Sequence, residues 1–408
     1  MKSFGIVLDE SKGLGRGFDF MRIALSLAVV TRHVILLAGP AGAGANPGAE
    51  TGFGSGLDWI VSYSILIMFF GLSGFLISGS AMRLTLKNFL INRGLRIFPA
   101  LAVEVMLSAL VLGPIFTTLT LSEYFTDHKL FLYFTNLLGF VYYFLPGVFN
   151  GDWVNGSIWT VPYEMGCYAI ISVLIFYQLL RKRWLIVGIS VMIGVVEIVL
   201  ALLNFRGQQL TMHSIPELIR LAPQYIVYYI FYARGSRLLI SFTVGIAFYL
   251  FRHQIPYSKM LFFAAIAAVI VAESIGGWTS EESPISNVFI VVPVIYITIF
   301  LGLTNIPLIS ILRKGDYSYG IYLYGWPLTQ ATRMVFPEQT KSWPFLLAAS
   351  LVPILLFAAF SWHLIERPIL QMRKKFSFVA RQRLAEVDTA STVVGQQSVT
   401  TQNASPPL

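Results

Sequence analysis

The sequence predicts an all-α polytopic membrane protein of about ten transmembrane helices, with one re-entrant segment and both termini cytoplasmic. Three observations predict it. Of its 408 residues 56% are hydrophobic and 12% charged, about half the charged share of a soluble domain. Mean hydropathy is +0.71. Apolar runs of about 20 residues, the length that crosses a bilayer, recur along the chain between short loops.

Ten spans are read at roughly 18–38, 57–80, 96–116, 158–180, 184–204, 237–251, 260–278, 285–303, 317–336 and 344–365. The first is too long for a secretion signal, and no small-residue cleavage site follows it, so it reads as a retained span. Basic clusters then orient the chain, because Lys and Arg concentrate on the cytoplasmic side. Arg16 precedes span one, Arg83 to Arg96 separate spans two and three, and Arg181 to Arg183 separate four and five. Lys259, Arg313 and Lys314, and Arg373 to Lys375 continue the series. All fall on one side only if the count is even. The opposite loops agree: residues 39–56 lack Lys and Arg, and 279–286 is acidic. The loop 205–236 dissents, with Arg206, Arg220 and Arg234, and its aromatic part, 216–232, suits a membrane interface.

Residues 130–149 are apolar enough to span, yet residues 150–157 carry no Lys or Arg, and a full crossing would invert everything after them. They are therefore read as re-entrant, a backbone tolerated where it lines a protein-buried cavity. Residues 1–370 form the membrane domain. Residues 371–408 are basic, then rich in Ser, Thr and Gln, and read as a disordered cytoplasmic tail.

Composition also excludes functions. The single Cys167 rules out an intrachain disulfide and argues against a thiolate metal site; no metal is expected. The net charge of +9 suits anionic membrane lipid. No soluble basic module points to nucleic acid. The sequence carries no signature of oligomeric state.

Ionisable groups inside a bilayer are expensive and mark candidate sites. Arg22 and His33 lie on one stripe of the first span, eleven residues apart. At about 100° per residue they share a helix face, separated by roughly 16 Å. A long ligand lying along the helix would touch both. A neutral imidazole can take a proton from a hydroxyl. Arg93 and Arg96 are three apart before the third span and suit phosphate. Glu164 follows Trp159 and Tyr163 at the outer end of span four. Counting residues from the outer ends puts Glu164 and His33 at similar depth, so Glu164 can orient the imidazole or hold a sugar hydroxyl. In Phe69 to Leu76, Gly71, Ser73 and Gly74 form a flank without bulk. Close helix packing explains most of that flank; Ser73 as a nucleophile is the weaker reading. Glu104, Glu197 and Glu273 are read as structural, and His363 and Glu366 as snorkelling or capping groups.

In order, Arg22 with His33, Phe69 to Leu76, Arg93 to Pro99, Trp159 with Glu164 and Tyr168, Tyr317 to Leu323 with Pro327, and Glu366 with Pro368 resemble the acyltransferase-3 family. Its members are bacterial integral-membrane O-acyltransferases that modify exopolysaccharide, O-antigen, Nod factor or peptidoglycan. The resemblance implies His33 as the essential histidine of the first helix. It ties Arg22, Arg93 and Arg96 to acyl-CoA. Many members carry a His before the aromatic–Pro pair of the ninth span; here Gly325 stands before Trp326 and Pro327.

The resulting expectation is an O-acetyltransferase of the bacterial inner membrane. Acetyl-CoA is the donor and a glycan or lipid-linked oligosaccharide the acceptor. His33 and Glu164 are catalytic, Arg22, Arg93 and Arg96 bind the donor, and Trp159, Tyr163 and Ser73 line the acceptor site. The alternative is a lipid-linked glycan or proton-coupled transporter, in which the same ionisable groups relay protons. The chain shows no repeated halves of the kind many carriers have.

Overall fold

The computed structural model describes residues 1–11, 13, 15, 17–38, 55–202, 220, 235–276, 289–307 and 315–376. The loops 39–54 and 279–286, most of 205–236, and the tail beyond 376 lie outside these residues. Among the described residues there is no strand. Two isolated bridges, Ser3 with Pro256 and Thr117 with Val148, are the extended pairings.

Each expected span contains one long helix: α1 Phe18–Leu37, α2 Ser55–Ala81, α3 Leu86–Leu107, α4 Val161–Phe176, α5 Arg183–Leu202, α6 Ser236–Leu250, α7 Lys259–Gly276, α8 Val291–Leu303, α9 Ser318–Val335 and α10 Trp343–Ser361. Among the described residues, five helical stretches are long and apolar enough to cross a membrane: Phe18–Leu37, Tyr63–Ala81, Leu86–Phe116, Gly156–Phe176 and Trp343–Met372.

One boundary differs from expectation. The third helix starts at Leu86, not near 96, so Arg93 and Arg96 lie inside α3 rather than in a loop. Thr85 caps it by accepting from the Asn88 N–H at 3.4 Å. Lys87, Arg93 and Arg96 break the apolar run and so hid this start. Residues 130–149, read as re-entrant from the sequence, are a broken segment and not one helix. A short helix, His128–Tyr133, passes into a 3-10 turn, Phe134–Leu138. Gly139, at φ 81°, ends the turn. The chain then runs without helix to Val148. Gly139, Pro146 and Gly147 are the breakers responsible.

Helices α2 and α6 pack backbone to backbone. A Cβ on Gly74 would stand 2.1 Å from the Phe242 carbonyl oxygen, and one on Gly245 would stand 2.1 Å from that of Gly71. Small residues permit this approach, as bilayer helix pairs require. Helix α9 is the element that organises the site. It packs against α1, α3 and α10. Pro327 inside α9 has no N–H and leaves the Leu323 carbonyl without its helical donor. The Asn155 side-chain amide supplies the missing bond at 3.0 Å. One proline thus both bends the helix ladder and anchors the segment before α4.

Candidate active site

The functional side chains form a ladder along α1 and α9, which run side by side in the same direction. Ser26 Oγ donates to the Ser318 carbonyl at 2.9 Å. Seven residues further along α1, the His33 ring lies 4.8 Å from Trp326.

At the basic end three helices converge. Arg22 Nη1 lies 3.2 Å and Arg96 Nη2 2.7 Å from the same oxygen, Asp316 Oδ2. The other carboxylate oxygen accepts from Ser318 Oγ at 2.6 Å. Burial alone would raise the Asp316 pKa, but Arg96 and Arg22 outweigh it and hold the carboxyl well below the usual carboxylate range. Arg93 completes the group from α3. Its guanidinium lies 5.9 Å from the rings of Phe89 and Tyr168. Among the described residues it makes no ion pair or hydrogen bond, and its Nε is buried without a partner. The Tyr319 hydroxyl and Glu366 Oε2 are likewise buried and unpartnered. Glu366 is 2% exposed and accepts from Ser361 at 3.0 Å, so it does not snorkel as the sequence reading supposed. The two donors among these, Arg93 Nε and the Tyr319 hydroxyl, fit an anionic ligand, because an orphaned buried donor costs stability until it is met.

Glu164 belongs to this end. Its Oε1 accepts from Tyr168 at 2.6 Å, and its charge is felt at Tyr319 and by Arg96 and Arg93. Its charge is felt at Tyr322 as well, one turn of α9 before Trp326. His33 makes no hydrogen bond among the described residues, to Glu164 or to anything else, and its Nδ1 is buried without a partner.

The expected acceptor residues separate. Tyr163 is 2% exposed, with its ring packed beneath Gly235, so it is a core residue in this arrangement. Trp159 is half-buried and meets Tyr163 edge-on at 5.8 Å. Ser73 is half-buried and has no hydrogen-bonded base among the described residues. Its neighbours Gly71 and Gly74 serve helix packing. Glu104 is buried and accepts from Ser108 at 2.8 Å and Tyr133 at 3.2 Å, a structural role.

Sequence reasoning missed the segment that roofs His33. The Trp153 carbonyl accepts from Trp326 Nε1 at 3.1 Å and from Gln330 Nε2 at 2.9 Å. Asp152 forms a buried ion pair with Arg333 at 3.2 Å. Trp326, Gln330 and Arg333 fall at i, i+4 and i+7 of α9, a polar stripe on an apolar helix that the sequence does display. Asp316 was missed as a single acid beside Arg313 and Lys314.

The comparisons agree with this architecture. The acyltransferase-3 model, described as an acyltransferase domain, matches residues 16–362, and the chain belongs to this family. "Nodulation protein 10" of Rhizobium leguminosarum bv. viciae is 26% identical over 341 residues, 80% of this chain and 86% of its own. The "O-acetyl transferase" of Shigella phage Sf6 is 24% identical over 366 residues, 86% of this chain and 95% of its own. No solved structure matches. The protein is an O-acetyltransferase enzyme with membrane helices.

Proposed function

We propose that the protein moves an acetyl group from cytoplasmic acetyl-CoA to a hydroxyl of a surface or lipid-linked glycan at the bacterial inner membrane. The observation that carries this is the ladder on α1 and α9. An arginine cluster with an unneutralised member stands at one end, and an imidazole with an open nitrogen stands at the other. Arg22 and His33 are separated by eleven helical residues, roughly 16 Å, a length suited to an extended pantetheine arm.

Arg22, Arg93 and Arg96 hold the donor phosphates through charge-assisted bonds. Tyr319 donates at the same end. Glu164 sits beside the arginines and limits their net charge; its part in orienting His33 would need a bridging group. Trp159 and Ser73, both half-buried, remain the side chains assigned to the acceptor. His33 takes the proton of the acceptor hydroxyl. The hydroxyl oxygen attacks the thioester carbonyl, an oxygen ester forms, the C–S bond breaks, and the CoA thiolate leaves and takes up the proton. The transporter reading has no observation of its own beside family membership.

The test is purified protein in detergent, labelled acetyl-CoA, and the source cell's polysaccharide stripped of acetyl esters by mild base. Label in the polysaccharide with wild type, and none with His33→Ala, is the expected result. Transfer by His33→Ala at the normal rate overturns the base.

A further inference from the structure

Trp153 is a large side chain left 43% exposed, although it sits on a tightly built ledge. The ledge, residues 147–155, is held in an uncommon backbone. Phe149 and Asn150 have φ of 50° and 56°, in the left-handed region, and Gly147 and Gly151 flank them at 65° and 86°. Non-glycine residues stay in that region only where their surroundings over-determine them, and such strain clusters at ligand sites. Here the surroundings are named: the Asp152–Arg333 pair, the Trp153 carbonyl bonded twice to α9, and Asn155 on Leu323. All four bonds fix the backbone that carries Trp153.

The Trp153 indole begins an aromatic row. Tyr143 stacks on it at 4.8 Å and 19°. Trp326 lies 6.0 Å from it at 31°, and His33 lies 4.8 Å from Trp326. The row leads from exposed surface to the imidazole. Asn150 and Gly151, exposed beside Trp153, leave its open side clear. A pyranose presents one apolar C–H face and a rim of hydroxyls. It can bury that face on an aromatic surface while a hydroxyl points along the row.

We propose that this ledge is the acceptor subsite, with a pyranose ring of the glycan packed on Trp153 and the hydroxyl next along the row delivered to His33. The inference rests on the O-acetyltransferase reading above and adds the residue that holds the sugar. Trp153 acts in binding, not in the chemical step. The plainer role for an exposed tryptophan is anchoring at the membrane–water interface, and the experiment separates the two.

Binding of fragments of the base-stripped polysaccharide to purified wild type, Trp153→Phe and Trp153→Ala is measured in detergent without donor. Acetyl transfer is measured in parallel. The expected result is a Kd about tenfold weaker for Trp153→Ala, a smaller loss for Trp153→Phe, and an unchanged KM for acetyl-CoA. Equal binding by wild type and Trp153→Ala, or no binding by wild type, overturns the ledge. Fragments that bind wild type and release on Trp153→Ala, but never receive the acetyl group, leave the ledge standing and overturn the transfer reading.

Discussion

Arg96 Nη2 and Asp316 Oδ2 meet at 2.7 Å across 220 residues of chain, and Arg22 reaches the same oxygen. One carboxylate therefore holds two arginines from two helices, and a third arginine stands beside them without an ion pair. Replacing Asp316 with Asn leaves the guanidinium groups to repel one another. The expected loss is about 1.5–3 kcal/mol, the worth of hydrogen bonds to charged groups. Chemical denaturation in detergent without donor measures it. The pH dependence follows from the sign of the shift. Asp316 is held below its unfolded value, so its contribution is complete above the ordinary carboxylate pKa of 3.8 and drains away as pH falls below that through the lower folded value. Wild type and Asp316→Asn should differ equally at pH 5 and pH 7 and converge only under about pH 4. Convergence at pH 5 would contradict the geometry.

The arginines are not equivalent. Arg22 and Arg96 carry the structure through Asp316, so their loss lowers stability as well as donor affinity. Arg22→Ala breaks the ion pair with Asp316 and so lowers stability. Arg93 has no ion pair to lose. Arg93→Met keeps the apolar stem against Phe89 and Tyr168 and removes the charge. Its KM for acetyl-CoA should rise roughly 10–100-fold, with the unfolding midpoint unchanged. A normal KM would remove Arg93 from the donor site.

His33 packs against Trp326 but bonds to nothing among the described residues. His33→Gln keeps polarity and most of the volume while removing the base. The acetyl-transfer rate should fall about 10²–10⁴-fold, the usual contribution of a positioned general base. Binding of acetyl-CoA and of the glycan should stay near wild type. A fall in either affinity comparable to the fall in rate would make His33 a binding group.

The positions of the helices were legible because a long apolar run is the strongest signal a chain can carry, although only five of the described stretches have the length and apolarity to cross a membrane. The Arg22–His33 stripe was legible for a similar reason: charge stands out against such a background. What depends on levels between helices was not. Glu164 counts to the depth of His33 along its own span, yet its partners by hydrogen bond and charge include Tyr168, Arg93 and Arg96. Asp316 could be seen only as an acid in a basic loop; its partners lie on α1 and α3. The stripe of Trp326, Gln330 and Arg333 was readable at i, i+4 and i+7, but its object is the carbonyl of a non-helical segment. Backbone carbonyls leave no mark in a sequence.

That segment yields the last prediction. Arg333 is 1% exposed and Asp152 8%, so the pair is out of water. Breaking such a pair costs more than the pair itself contributes, because the remaining charge stays buried. Asp152→Asn should destabilise the protein by about 3–5 kcal/mol. The double variant Asp152→Asn with Arg333→Met removes both charges and should recover much of that loss. The Trp153 carbonyl keeps its bonds to Trp326 and Gln330 in both variants. Glycan affinity should therefore fall in the single variant, where Arg333 seeks a new partner across the ledge, and return toward wild type in the double. With Arg333→Met alone as the fourth protein, unfolding and glycan binding measured on all four form a complete cycle. Additive losses in both would mean that Asp152 and Arg333 hold the ledge independently, and the clamp would not exist.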